Sequence, residues 1–171
     1  MGQRKRKPTR LQGYDYSSPG AYFLTVCTKD RKCVLSRIVG TGVLDGPCVE
    51  LTSHGVVAEK YLRQLDDFYE DISVDSYVIM PNHIHILLVV KDFPAKGPSG
   101  TPVPTGRVQN STVSRFLSTF KRFCNKEYGE NIWQYRSYDH IVRDRADYET
   151  HLEYIRHNPA RWREDELYSE T

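Results

Sequence analysis

The stretch "ISVDSYVIMPNHIHILLVV", residues 72 to 90, constrains the fold more than any other part of the chain. Two runs rich in apolar and β-branched residues, 72–80 and 83–90, are separated by Pro81-Asn82. Proline presets its own φ and asparagine tolerates turn geometry, so the pair makes a tight connection. The two runs therefore read as a β-hairpin. Side chains alternate along a strand, which sends Ile84, Ile86 and Leu88 toward a core and His83 and His85 together to the other face.

Around this hairpin the periodicity predicts a complete α+β plan. "AYFLTVCT", 21 to 28, has strand character, and "KCVLSRIV", 32 to 39, reads as a second extended piece before a Gly-Pro stretch at 40–47. The period then changes. Val57, Ala58, Tyr61, Leu62, Leu65, Phe68 and Tyr69 fall at helical spacing within 52–69. After the hairpin, residues 91–109 carry four prolines and three glycines and read as a long loop. A helix follows over about 111–126, with Ser111 as N-cap and Val113, Phe116, Leu117, Phe120, Phe123 and Cys124 as its apolar stripe. "SYDHIVR", 137–143, reads as a last strand, and 144–162 as a helix interrupted near Asn158-Pro159, since the residue before a proline is pushed out of the α region. The expected fold is a ferredoxin-like split βαβ, one antiparallel sheet with two helices on one face. The C-terminal helix, which carries Tyr154, is extra to that plan.

Composition narrows the function classes. A net charge of +2 over 171 residues is no polycation, yet "GQRKRKPTR" opens the chain with five cations and no acid. Such a block is a solvated arm or a contact for nucleic acid. The expected division is a basic arm over 1–19, a catalytic domain over 20–162 and a tail over 163–171. Four cysteines without a C-x-x-C pair, and no apolar stretch after the basic N-terminus, read as reduced thiols in a cytoplasmic protein. No run approaches the roughly 18 apolar residues that cross a membrane.

Two constellations carry chemistry. His83 and His85 on one strand face offer two nitrogens to one metal ion, or are simply two half-buried histidines. Structural zinc is disfavoured because no second Cys or His pair supplies the remaining ligands. In "HLEYIRHNPA", 151–160, Tyr154 and Asn158 share a helix face, with His151 one turn earlier. Most tyrosines in amphipathic helices simply pack.

The succession "VIMPNHIHILLVV", "STFKRF", "IWQYRSYDHIVRD" and "HLEYIRHNPA" resembles the HUH single-tyrosine transposases, and within them the REP-associated tyrosine transposases, over about residues 14 to 162. The resemblance implies that His83, His85 and Asn158 hold Mg²⁺ or Mn²⁺ and that Tyr154 is the nucleophile. It implies a metal-dependent endonuclease and strand transferase acting on single-stranded DNA at repeat hairpins through a 5′-phosphotyrosine, with nucleoid association. Arg4, Lys5, Arg6, Lys7, Lys121 and Arg122 are candidate phosphate contacts, and Trp133, Tyr135 and Tyr138 candidate stacking platforms. His140 and His151 are candidates for a general base, without a choice between them. Monomer and homodimer are both open, as is whether Tyr154 serves its own chain's histidines or a partner's. A domesticated relative that binds hairpins without cutting is the alternative. An RNA-binding ferredoxin-like domain ranks below both, because its RNP aromatic signature is absent.

Overall fold

Four strands build the main sheet of the computed structural model, which describes residues 11, 13–40, 46–92 and 111–170. They are β1 (Gly20–Cys27), β4 (Ile72–Ile79), β5 (His83–Val90) and β6 (Tyr138–Ile141). The order is β4-β5-β1-β6, with every neighbouring pair antiparallel. Two further strands, β2 (Ser36–Val39) and β3 (Cys48–Leu51), pair with each other in a separate sheet. The described residues also form three α-helices, α1 (Ser53–Phe68), α2 (Thr112–Tyr128) and α3 (Arg145–His157), the last continued by a 3-10 helix over Pro159–Glu164.

The split βαβ reading holds, with α1 joining β1 to β4 by way of the small β2–β3 sheet and α2 joining β5 to β6. Strand β3 was not anticipated, because four residues behind a Gly-Pro stretch are too few for a period to register. The last strand is shorter than the run 137–143, and the last α-helix stops at His157 rather than 162. The basic residues Arg4 to Lys7 and nearly all of the Pro/Gly-rich loop lie outside the described residues. Within the stretch read as an arm, Tyr16 is buried and donates its hydroxyl to Asp139, while Tyr14 packs beside it.

Local chemistry explains the helix boundaries. Thr52 caps α1, its Oγ1 accepting from the Gly55 N–H at 3.2 Å. Gly55 is required there, since a Cβ would stand 2.1 Å from the Leu35 carbonyl oxygen. Ser111 caps α2, which ends at Gly129 in the left-handed region (φ 75°) with its N–H on the Asn125 carbonyl. Asp144 caps α3 by accepting from the Asp147 N–H at 2.9 Å. Asn158 keeps helical angles (φ −57°, ψ −42°), and the tighter 3-10 turn begins only at Pro159.

The sheet has two differently used faces. Tyr22, Leu24 and Val26 of β1 with Ile84, Ile86, Leu88 and Val90 of β5 pack against Leu62 and Leu65 of α1 and Phe116 and Phe120 of α2. This is the main core, with both expected helices on one face. The extra helix α3 covers the opposite face, where Val78, Met80 and Leu87 meet Ile155, Leu152 and Trp162. That second face also carries His83 and His85.

Candidate active site

The histidine pair stands on a central strand. The register sets Cys27 opposite His83 and Thr25 opposite His85, so both imidazoles are walled by neighbours. His83 is fully buried and His85 is 4% exposed. Their rings meet edge to face at 4.5 Å. The His83 Nδ1–H donates to Asn82 Oδ1 at 2.7 Å, because an amide oxygen only accepts. Thr25 Oγ1 lies 2.9 Å from His85 Nδ1. Both Nε2 atoms are buried and have no partner among the described residues. Burial pushes His83 down to about 4, and burial together with the neighbouring His83 pushes His85 down to about 3. At neutral pH both rings are therefore uncharged, and His83 presents an Nε2 lone pair. An Nδ1–H of His85 donating to Thr25 leaves its Nε2 in the same condition.

Helix α3 brings Tyr154 to this pair. Its ring lies edge-on to His85 at 5.1 Å and to Phe23 at 5.9 Å. Tyr154 is 42% exposed. Its hydroxyl donates to Asp165 Oδ2 at 3.1 Å. Burial, then the charge of Asp165 and the hydrogen bond to it, raise the phenol to about 12. One turn on, Asn158 is 2% exposed. Its Nδ2 donates to the same Asp165 oxygen at 2.9 Å, and its Oδ1 is buried without a partner among the described residues.

Asp165 is the residue that sequence reasoning missed. It lies in the stretch read as a tail, in a run of charged residues with no motif around it. Each of His83, His85 and Asp165 offers a ligand atom, and these atoms lie within 4.8 Å of one another. Burial pushes the Asp165 carboxyl up. The Asn158 amide, the Leu167 N–H, His83 and the Tyr154 hydroxyl outweigh that and hold it below the usual carboxylate range. Two neutral imidazoles and one carboxylate thus meet, with the Asn158 amide hydrogen-bonded to that carboxylate, and His83 Nε2, His85 Nε2 and Asn158 Oδ1 are buried without a partner among the described residues. This mixed nitrogen and oxygen set fits a divalent cation.

The C-terminal segment is pinned to the hairpin turn. Asn82 Nδ2 donates to the Leu167 carbonyl at 2.8 Å and to Ser169 Oγ at 2.9 Å. Ser169 Oγ in turn donates to the Arg31 carbonyl at 3.0 Å. A cavity of about 480 Å³ opens beside the site, lined by Phe23, Thr25, Arg31, His85, Tyr154 and Asp165 among others.

The other candidates are placed differently. Lys121 donates to the carbonyls of Gln134 and Tyr135, and Arg122 lies 5.2 Å over the Phe123 ring. His140 and His151 stack at 4.6 Å and share Asp147, whose carboxylate lies 2.9 Å from His140 Nε2 and 3.2 Å from His151 Nδ1. Neither is hydrogen-bonded to Tyr154. His151 does line the same cavity, as does Tyr138. Trp133 is buried against Phe120, whereas Tyr135 stands 97% exposed.

No family model matches the chain. An uncharacterized protein of Haemophilus influenzae is 29% identical over 98% of this chain and 95% of its own length. A REP-associated tyrosine transposase of Escherichia coli is 24% identical over 85% of this chain and 70% of its own. Among solved structures, a REP-associated tyrosine transposase bound to a REP hairpin superposes with a TM-score of 0.56 at 20% identity, over 94% of this chain and 74% of that one. That last likeness establishes a shared fold.

Proposed function

We propose that this chain, a relative of the REP-associated tyrosine transposases, cuts and rejoins single-stranded DNA at hairpins through a covalent bond to Tyr154. The observation that carries the reading is an exposed phenol in ring contact with His85, beside a cavity that both line with Asp165, while His83 Nε2, His85 Nε2 and Asn158 Oδ1 lie buried without a partner among the described residues. A core that needed only packing would not leave three such atoms without partners.

His83, His85 and Asn158 are the residues that would hold Mg²⁺ or Mn²⁺, with Asp165 adding charge beside them. A bound divalent ion supplies Lewis acidity at a non-bridging oxygen of the scissile phosphate. Tyr154 Oη attacks phosphorus, the P–O3′ bond breaks, and the protein carries a 5′-phosphotyrosine while the leaving strand keeps a free 3′-OH. The bond energy stays in the new ester, so a later 3′-OH attack rejoins strands without ATP. The phenol proton has a waiting acceptor in Asp165 Oδ2. That carboxylate takes the place of the general base for which His140 and His151 were candidates. Asn82 and Thr25 orient the two imidazoles through their Nδ1 atoms.

The hairpin substrate comes from kinship with the relative solved on a REP hairpin. The test is incubation of a labelled hairpin oligonucleotide carrying a single-stranded flank with Mg²⁺ or Mn²⁺, followed by a denaturing protein gel. The wild type yields a protein–DNA adduct; Tyr154→Phe yields none while binding the hairpin as before. A normal adduct from Tyr154→Phe overturns the nucleophile. Tight hairpin binding with no adduct from the wild type reduces the protein to a binder.

A further inference from the structure

The 3-10 turn Lys29–Arg31, by which the chain leaves β1 toward β2, is strained. Asp30 (φ 55°, ψ 20°) and Arg31 (φ 54°) are the only non-glycine residues with positive φ among those described, and they stand side by side. In this region the Cβ of an L-residue crowds the following carbonyl oxygen. A short polar side chain such as that of Asp30 tolerates it. An arginine has no such excuse, and a glycine would make the same turn without the cost. The turn is nevertheless held in place. The Thr28 N–H donates to the Asn82 carbonyl at 2.9 Å and the Lys29 N–H to the Ile132 carbonyl at 2.6 Å. The Arg31 carbonyl accepts from Ser169 Oγ at 3.0 Å and from Asn82 Nδ2 at 3.4 Å. Asn82 is also the acceptor for His83 Nδ1–H, so one side chain fixes both that imidazole and the Arg31 backbone. Strain that the surroundings maintain concentrates where a side chain is used.

The Arg31 side chain is exposed and lines the Tyr154 cavity. It is the only Lys or Arg to do so among the described residues, whereas two carboxylates, those of Asp165 and Glu166, belong to the same lining. Among the described residues its guanidinium makes one hydrogen bond, Nη1 donating to the Glu166 carbonyl at 3.2 Å. Most of the five N–H groups of the fork are left for a ligand. Its charge also reaches the histidine pair. Burial lowers His83, Asp165 works against that, and Arg31 adds to it. A phosphodiester brings a negative charge into this cavity, and attack on phosphorus adds more to its non-bridging oxygens. A divalent ion at one of these oxygens leaves the other without a partner.

We propose that Arg31 is the phosphate clamp of the tyrosine site, its guanidinium donating to the second non-bridging oxygen of the scissile phosphate. This rests on the reading that Tyr154 breaks a phosphodiester, and it names the group that holds the phosphate for attack. The P–Oη bond forms as the P–O3′ bond breaks. The phenol proton passes to Asp165, and the departing O3′ takes a proton from water. Arg31 gives up no proton, since a guanidinium keeps its charge throughout. Its effect is electrostatic and is greatest when the phosphoryl oxygens carry most charge.

The experiment uses the flanked hairpin with Mn²⁺, after the scissile position has been mapped with the wild type. The substrate is then made as the ordinary phosphodiester and as each methylphosphonate diastereomer at that position, in which a neutral methyl group replaces one non-bridging oxygen. Single-turnover adduct formation is compared for full-length wild type, Arg31→Gly and Arg31→Lys, and each protein is melted without metal. On the phosphodiester, Arg31→Gly should form adduct about 100-fold more slowly than the wild type, and Arg31→Lys should recover part of that loss. On one methylphosphonate diastereomer the charge to be neutralised is gone, and wild type and Arg31→Gly should react at similar rates. Arg31→Gly should melt no lower than the wild type, because glycine relieves the turn. An undiminished rate in Arg31→Gly, the absence of any rescue by either diastereomer, or a clearly lowered melting temperature overturns the clamp, and the wild-type adduct then leaves the transesterase reading standing. No adduct from the wild type removes both.

Discussion

At the residue scale, the site depends on groups held against their solution preference. His83 and His85 stay neutral because the sheet buries them, and this has a consequence for stability in metal-free protein. Both folded values, about 4 and about 3, lie below the ordinary histidine value of 6.5. Below pH 6.5 the unfolded chain therefore binds protons that the folded chain refuses. Stability should fall as pH drops from 6.5 toward 4, by up to roughly 1.4 kcal/mol per histidine per pH unit. Urea denaturation across that window should show the slope, and His83→Gln should flatten part of it; a flat wild-type profile contradicts the burial argument. Asp165 acts in the opposite sense on Tyr154, since its charge and hydrogen bond favour the protonated phenol. In Asp165→Asn the Tyr154 phenol should ionise at lower pH than the wild type's value of about 12. A ¹³C-tyrosine NMR titration, with Tyr154→Phe to assign the resonance, reads this directly. No change on removing the carboxylate would separate the two groups.

Among the elements, the β4–β5 hairpin and helices α1 and α2 were legible because each repeats its period several times over, with the cap at Ser111 marking the start of α2. The face shared by His83 and His85 followed from alternation alone. Strand β3 was illegible for the opposite reason: "CVEL" is four residues with no length over which a period can accumulate. Pro159 was read correctly as a break, but its effect begins one residue later than steric reasoning suggests, and Asn158 keeps its helical angles facing the site. Gly55 shows how an element's position depends on one missing atom. A Cβ there meets the Leu35 carbonyl oxygen, and backbone cannot yield as a side-chain tip does. Gly55→Ala should destabilise the fold by about 2 kcal/mol or more, moving α1 off the β2 end of the structure. Chemical denaturation measures it, and a change within about 0.5 kcal/mol would show that the contact relaxes freely.

For the whole molecule, the fold uses one face of its sheet for stability and the other for the site. The first six elements of the plan needed only local patterns. That α3 lies across the histidine face needed contacts between distant parts of the chain, which no local pattern contains. Asp165 was missed for the same reason, since it reaches the histidines only because the 3-10 helix turns the chain back and Asn82 and Ser169 pin the segment to the hairpin turn. Within one chain the tyrosine already stands beside the histidines. We therefore expect mixed Tyr154→Phe and His83→Ala proteins, each inactive alone, to stay inactive together. Restored adduct in the mixture would mean that the tyrosine serves a second copy.

The account comes down to one covalent bond, between Tyr154 Oη and a DNA 5′-phosphate. Proteolysis of the adduct formed with a flanked hairpin and Mn²⁺, followed by tandem mass spectrometry, locates that bond. The account predicts a single nucleotide-bearing peptide containing Tyr154, lost when His83 and His85 are both replaced by alanine. A nucleotide on any other residue, or an adduct that survives loss of both histidines, contradicts it.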